Sequence, residues 1–170
     1  MSGKNLFYYL DGLGNLPEQS MFRVTLEDGF LLLDHVKPHP FGKDKLIQQY
    51  KIPADMIVDF GIVKTSELKK QSVLGRGAVG GFLLGPVGAV LGGMSAVGKQ
   101  KIKSTLAICY IPSGGGDPRT VVFDAEPSGW ATTNLSSITK LKKELLKTPK
   151  SPAVMSYLGQ STAADGSIML

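Results

Sequence analysis

The sequence predicts a mainly β fold of the α+β class: a small antiparallel barrel closed by a C-terminal amphipathic helix and interrupted by an inserted glycine-rich helical hairpin. Three observations predict it. Most of the chain alternates apolar and polar side chains or runs in β-branched and aromatic stretches, as strands do. One stretch near the C-terminus instead repeats its leucines at three-to-four spacing, as a helix does. Between the two strand groups, Gly77 to Gly98 carries no charge and is dense in glycine.

Residues 1–20 are an N-terminal segment. In it Leu6-Phe7-Tyr8-Tyr9-Leu10 suits a strand or a helical turn, ended by Gly12, Gly14 and Pro17. Phe22, Val24 and Leu26 then alternate with Arg23 and Thr25, and Asp28-Gly29 is a tight-turn pair before Phe30-Leu31-Leu32-Leu33. Residues 21–36 are therefore a β-hairpin. Lys37 to Lys43 holds two prolines and a glycine and is a loop. A third strand follows over 46–52, a turn at Pro53-Ala54-Asp55, and a fourth strand over 56–64.

After the glycine-rich run, 103–111 alternates, with Thr105, Ala107, Cys109 and Ile111 on one face and Leu106, Ile108 and Tyr110 on the other. Gly114-Gly115-Gly116 turns the chain back into a strand over 120–124. Ser136 or Ser137 caps a helix to about residue 147 with Leu135, Ile138, Leu141, Leu145 and Leu146 on or near one side, and Pro149 stops it. The domain therefore spans 21–147, interrupted at 73–98, and 148–170 is a Ser-, Ala- and Gly-rich tail expected to be mobile.

The 170 residues suit one domain with an insertion. Charged residues make up 19%, below the roughly 25% of an average soluble domain. A net charge of +5 suits an anionic membrane surface, nucleic acid or an ordinary soluble protein. Nucleic acid is not favoured, because the lysines show little aromatic interleaving. Cys109 is the single cysteine, so no intrachain disulfide can form and a reducing compartment is expected. The first apolar run is too short for a signal-peptide core, which places the protein in the cytoplasm, at the inner face of the membrane if bilayer-bound.

No catalytic set is visible, so no enzyme and no cofactor are expected. His35 and His39 lie four apart among prolines without further ligands, and no metal site is expected. Gly75-x-Gly77-x-x-Gly80 has the spacing of a dinucleotide fingerprint but follows a polar, lysine-rich stretch instead of a buried strand. Trp130, in a turn before the helix, is read as a packing anchor.

The order of elements resembles the bacterial pleckstrin-homology-like (PH-like) domains, including GRAM-type relatives. Phe30-Leu31-Leu32-Leu33, Ile52-Pro53-Ala54-Asp55-Met56-Ile57-Val58-Asp59-Phe60, Leu106-Ala107-Ile108-Cys109-Tyr110, Thr120-Val121-Val122-Phe123-Asp124 and the 136–147 helix carry the resemblance. It implies a PH-like barrel, a binding or scaffold role and no catalytic residues. It is also similar to members with a glycine-rich apolar insertion between the two halves of the barrel.

Within that insertion Gly77, Gly81 and Gly85 fall four apart, as do Gly88, Gly92 and Ala96. On a helix each set lies on one face, the small-xxx-small pattern that lets two backbones approach closely, as in a glycine zipper. Each glycine disfavours a solvated helix by roughly 1 kcal/mol against Ala, so the segment needs a packing partner. A single span of about 22 residues would reach roughly 33 Å and put the two strand groups on opposite sides of a bilayer. Gly85-Pro86 instead divides it into a hairpin, presenting Phe82, Leu83, Leu84 and Leu91 with the small residues. Lys69, Lys70 and Arg76 before it and Lys99, Lys101 and Lys103 after it suit an anionic surface at both ends. The expected partners are a bilayer surface, further copies of the chain or another protein. The alternative is a binding protein for a peptide or small ligand, with the hairpin packed on its own barrel.

Overall fold

Seven strands of the computed structural model, which describes residues 6–17, 19–64, 78–79, 82–83, 104–125 and 135–164, form one antiparallel sheet. They are β1 (Leu6–Asp11), β2 (Met21–Glu27), β3 (Phe30–Lys37), β4 (Lys45–Pro53), β5 (Ile57–Lys64), β8 (Ser104–Tyr110) and β9 (Arg119–Asp124). Two further short strands, β6 (Ala78–Val79) and β7 (Phe82–Leu83), pair with each other. The order in the main sheet is β4-β3-β2-β1-β9-β8-β5. Its two end strands, β4 and β5, follow one another in the chain through a single 3-10 turn at Ala54–Met56. Helices α1 (Leu135–Lys147) and α2 (Pro152–Ala164) complete the described chain.

The β2–β3 turn is set by its residues. Asp28 and Gly29 have φ of 51° and 78°, the left-handed pair that matches the twist of a two-residue hairpin. Gly12 is required for a different reason. Its φ is 109°, and a Cβ there would lie 2.2 Å from the Thr120 carbonyl oxygen.

The core lies on one face of the sheet. Phe7 and Tyr9 of β1, Phe22 and Val24 of β2, Leu31 and Leu33 of β3, Leu106 and Ile108 of β8, and Val121 and Phe123 of β9 all belong to it. Phe22 is its hub, with ring centroids 5.4 Å from Phe123, 5.8 Å from Tyr9 and 5.0 Å from His35, which stacks on it. Burying each such ring stabilises the fold by about 1.5–3 kcal/mol. Helix α1 closes this face, with Ile138 and Leu145 buried and Leu141 packed against the same cluster.

At the two ends of the chain the structure decides one alternative and overturns one expectation. Leu6–Asp11, part of the segment left open as strand or helical turn, is a strand in the middle of the sheet between β2 and β9. Both its faces are used: Phe7 and Tyr9 enter the core, while Leu6 and Tyr8 pack with Val36 and Met21 on the other side. The Tyr9 hydroxyl accepts from Leu13 N at 2.8 Å and donates to Gly14 O at 3.0 Å, which pins the following loop.

The mobile tail expected over 148–170 is corrected at Pro152–Ala164, which form α2. Ser151 starts this helix: its Oγ accepts from Val154 N at 3.3 Å, and Pro152 takes the first helical position, where its missing N–H is no loss. Ser151 N also donates to Asp55 O at 3.0 Å, and Val154 is fully buried. The helix is thereby fixed against the 3-10 turn and β5.

Candidate association surface

Most of the association residues expected from the sequence lie outside the described residues. These are Gly77, Gly81, Leu84, Gly85, Pro86, Gly88, Leu91, Gly92 and Ala96, the basic flanks Lys69, Lys70, Arg76, Lys99, Lys101 and Lys103, and also Trp130. Of Phe82 and Leu83 the backbone is described, as β7.

At that point the structure departs from the expected helical hairpin. Ala78 pairs with Leu83 and Val79 with Phe82, so these four residues are extended and antiparallel. The sequence between the pairs is Gly80-Gly81, a two-residue connection of the kind that joins hairpin strands. This competing signal is as local as the spacing of four. Strand β7 lies alongside β5 at the end of the main sheet.

Strand β5 belongs to a second surface that the sequence did not single out. Residues directly opposite one another in an antiparallel sheet share a face. Three rows therefore form across β5, β8 and β9 on the face away from the core: Val63–Thr105–Asp124, Gly61–Ala107–Val122 and Asp59–Cys109–Thr120. Gly61, Val63, Thr105, Ala107, Cys109, Thr120 and Val122 are all buried. Apart from the partly exposed Asp59 and Asp124 at the ends of the outer rows, this side of the sheet is built from small or β-branched side chains and is dry.

The chemistry of this outer face is that of an interior. Burial pushes the Cys109 thiol up to about 11, the opposing Thr120 hydroxyl pulling the other way, so at neutral pH it is a protonated small hydrophobe and not a nucleophile. Thr105 Oγ1 and Thr120 Oγ1 are buried without a hydrogen bond of ordinary geometry. Thr120 Oγ1 still faces the Cys109 thiol, whereas Thr105 Oγ1 is orphaned, which destabilises the fold by about 1–3 kcal/mol. The signal for this face was the 103–111 alternation, whose second face, Thr105-Ala107-Cys109, is itself nearly apolar, as in strands buried on both sides.

Among the described residues no three His, Cys, Asp or Glu side chains are grouped to hold a metal. His35 stacks flat on Phe22, and burial lowers its pKa. Also among the described residues, no helix is long and apolar enough to cross a membrane. Comparison with protein-family models, curated proteins and solved structures returned no match. The class that fold and surface define is a mainly β domain, whose described residues form a seven-stranded antiparallel sheet, a two-stranded one and two helices.

Proposed function

We propose that this chain is a non-enzymatic association module on the cytoplasmic side of the membrane. In this reading it is a PH-like domain whose glycine-rich segment 77–98 is the contact element for further copies of the chain or for a bilayer surface. The strand order, with its last strand leading to a helix that closes the core face, supports the PH-like resemblance. The observation that carries the functional reading is the dry outer face of β5, β8 and β9, with β7 beside it. A face built from Gly61, Ala107, Thr105 and Cys109 lacks bulk, and another backbone can approach it closely. A glycine-rich segment needs such a neighbour, because bare backbone in water is unfavourable.

The place of β7 favours a second reading as well. In it, segment 77–98 packs on the outer face of its own barrel, and the domain is a binding protein for a peptide or small ligand. Two preparations separate the readings: the full chain, and a chain with 75–98 replaced by a short Gly-Ser linker. Both are fractionated, and particle mass is measured by light scattering. Association of the full chain alone supports the module. Two soluble monomers end that reading and leave the second.

A further inference from the structure

Phe41, at the tip of the loop between β3 and β4, is 95% exposed. The loop that carries it is firmly built. The Asp44 carboxylate is buried, with Oδ2 2.5 Å from the Arg23 guanidinium and Oδ1 accepting from His39 N at 3.2 Å. Phe41 N donates to His39 Nδ1 at 3.3 Å. An internal ion pair thus holds an aromatic ring out in water.

The base of the loop adds a second unfavourable arrangement. Lys37 and Lys45 stand directly opposite each other across β3 and β4, where like charges repel, and Lys43 is exposed beside them. Asp44, the acid of the loop, is already paired with Arg23. Just beyond, Leu46 and Ile47 are half exposed, and a bulge leaves Ile47 without a cross-strand partner.

We propose that this tip is a docking surface for an anionic bilayer. Phe41, Leu46 and Ile47 enter the boundary between headgroups and acyl chains, and Lys37, Lys43 and Lys45 meet the lipid phosphates and carboxylates. Both arrangements unfavourable in water become favourable there. A nucleic acid would use the lysines but give Leu46 and Ile47 nothing to stack on. The tip shares no residue with the outer face of β5, β8 and β9 or with segment 77–98, so the proposal stands or falls independently of the function proposed above.

The test is co-sedimentation of the full chain with phosphatidylcholine vesicles, with and without phosphatidylserine. Binding is expected only with the anionic lipid. Phe41→Ser should weaken it about tenfold, since the ring leaves the apolar boundary. Lys43→Glu with Lys45→Glu should weaken it at least about tenfold. Both variants should keep the parent circular dichroism, because Asp44 and Arg23 are untouched. Full binding by Phe41→Ser overturns the proposal, as does equal binding to neutral vesicles. So does absence of vesicle binding in a chain that binds an oligonucleotide.

Discussion

Cys109 and Thr120 stand directly opposite each other across β8 and β9, both buried on the face turned away from the aromatic core. A thiol and a hydroxyl hidden on the outer side of a sheet mean that these strands are dry on both sides. That arrangement makes the outer face part of the folding problem.

The orphaned hydroxyl of Thr105 is a direct probe of it. Thr105→Val keeps the shape and removes the unpartnered oxygen, so stability should hold or rise by about 1 kcal/mol. Urea unfolding measures this. A loss of more than about 1 kcal/mol would mean that the hydroxyl has a partner.

The thiol gives a pH dependence. Folding raises the Cys109 pKa from 9.0 to about 11, so the folded state holds its proton longer than the unfolded state. Its stabilising contribution is complete below pH 9.0 and is lost as pH climbs toward about 11. The difference in stability between the parent and Cys109→Ala should therefore shrink over that window, read by denaturation at a series of pH values. A difference independent of pH would contradict burial of the thiol.

In the core, Phe22 touches the rings of Tyr9, His35, Tyr50 and Phe123. Phe22→Ala should cost about 3–5 kcal/mol in a denaturant titration. Phe41→Ala, at the exposed tip, should change stability by no more than about 0.5 kcal/mol.

Gly12→Ala combines a φ of 109° with a backbone oxygen 2.2 Å from the new Cβ. The chain must shift where β1 meets β9, and a loss of at least about 1–3 kcal/mol is expected from thermal unfolding. Gly115→Ala, which has positive φ but open space around the added carbon, should lose less.

Ser151→Ala removes the cap of α2 and should cost about 1 kcal/mol. Proteolysis should then cut within Pro152–Ala164 before it reaches the sheet. A variant as resistant as the parent would show that Val154, not the cap, holds this helix.

The sequence exposed those parts of the fold whose signals are local. Asp28-Gly29 fixes the β2–β3 hairpin by its dihedral angles, and Ile138, Leu141 and Leu145 fix the inner face of α1. Strand β1 was left ambiguous because its residues do not alternate: Leu6, Phe7 and Tyr9 are buried on two different faces. Helix α2 was missed because its residues carry no charge and little amphipathic pattern, although Ser151-Pro152 is a start signal. In the glycine-rich segment, the Gly80-Gly81 connection competed with the spacing of four, and at 78–79 and 82–83 the hairpin signal prevailed. The small-residue face of β8 was visible as an alternation. Its burial was not, since that depends on what the rest of the chain brings to it.

The account rests on the outer face of β5, β8 and β9 needing a glycine-rich segment, its own or that of another copy, as its cover, and alkylation of Cys109 measures this most directly. The full chain should react slowly with a thiol reagent at neutral pH. Replacement of 75–98 by a Gly-Ser linker should speed the reaction at least tenfold while circular dichroism still reports the sheet. An equally slow reaction in the folded linker chain would show that the face is covered without the segment, and would contradict the account.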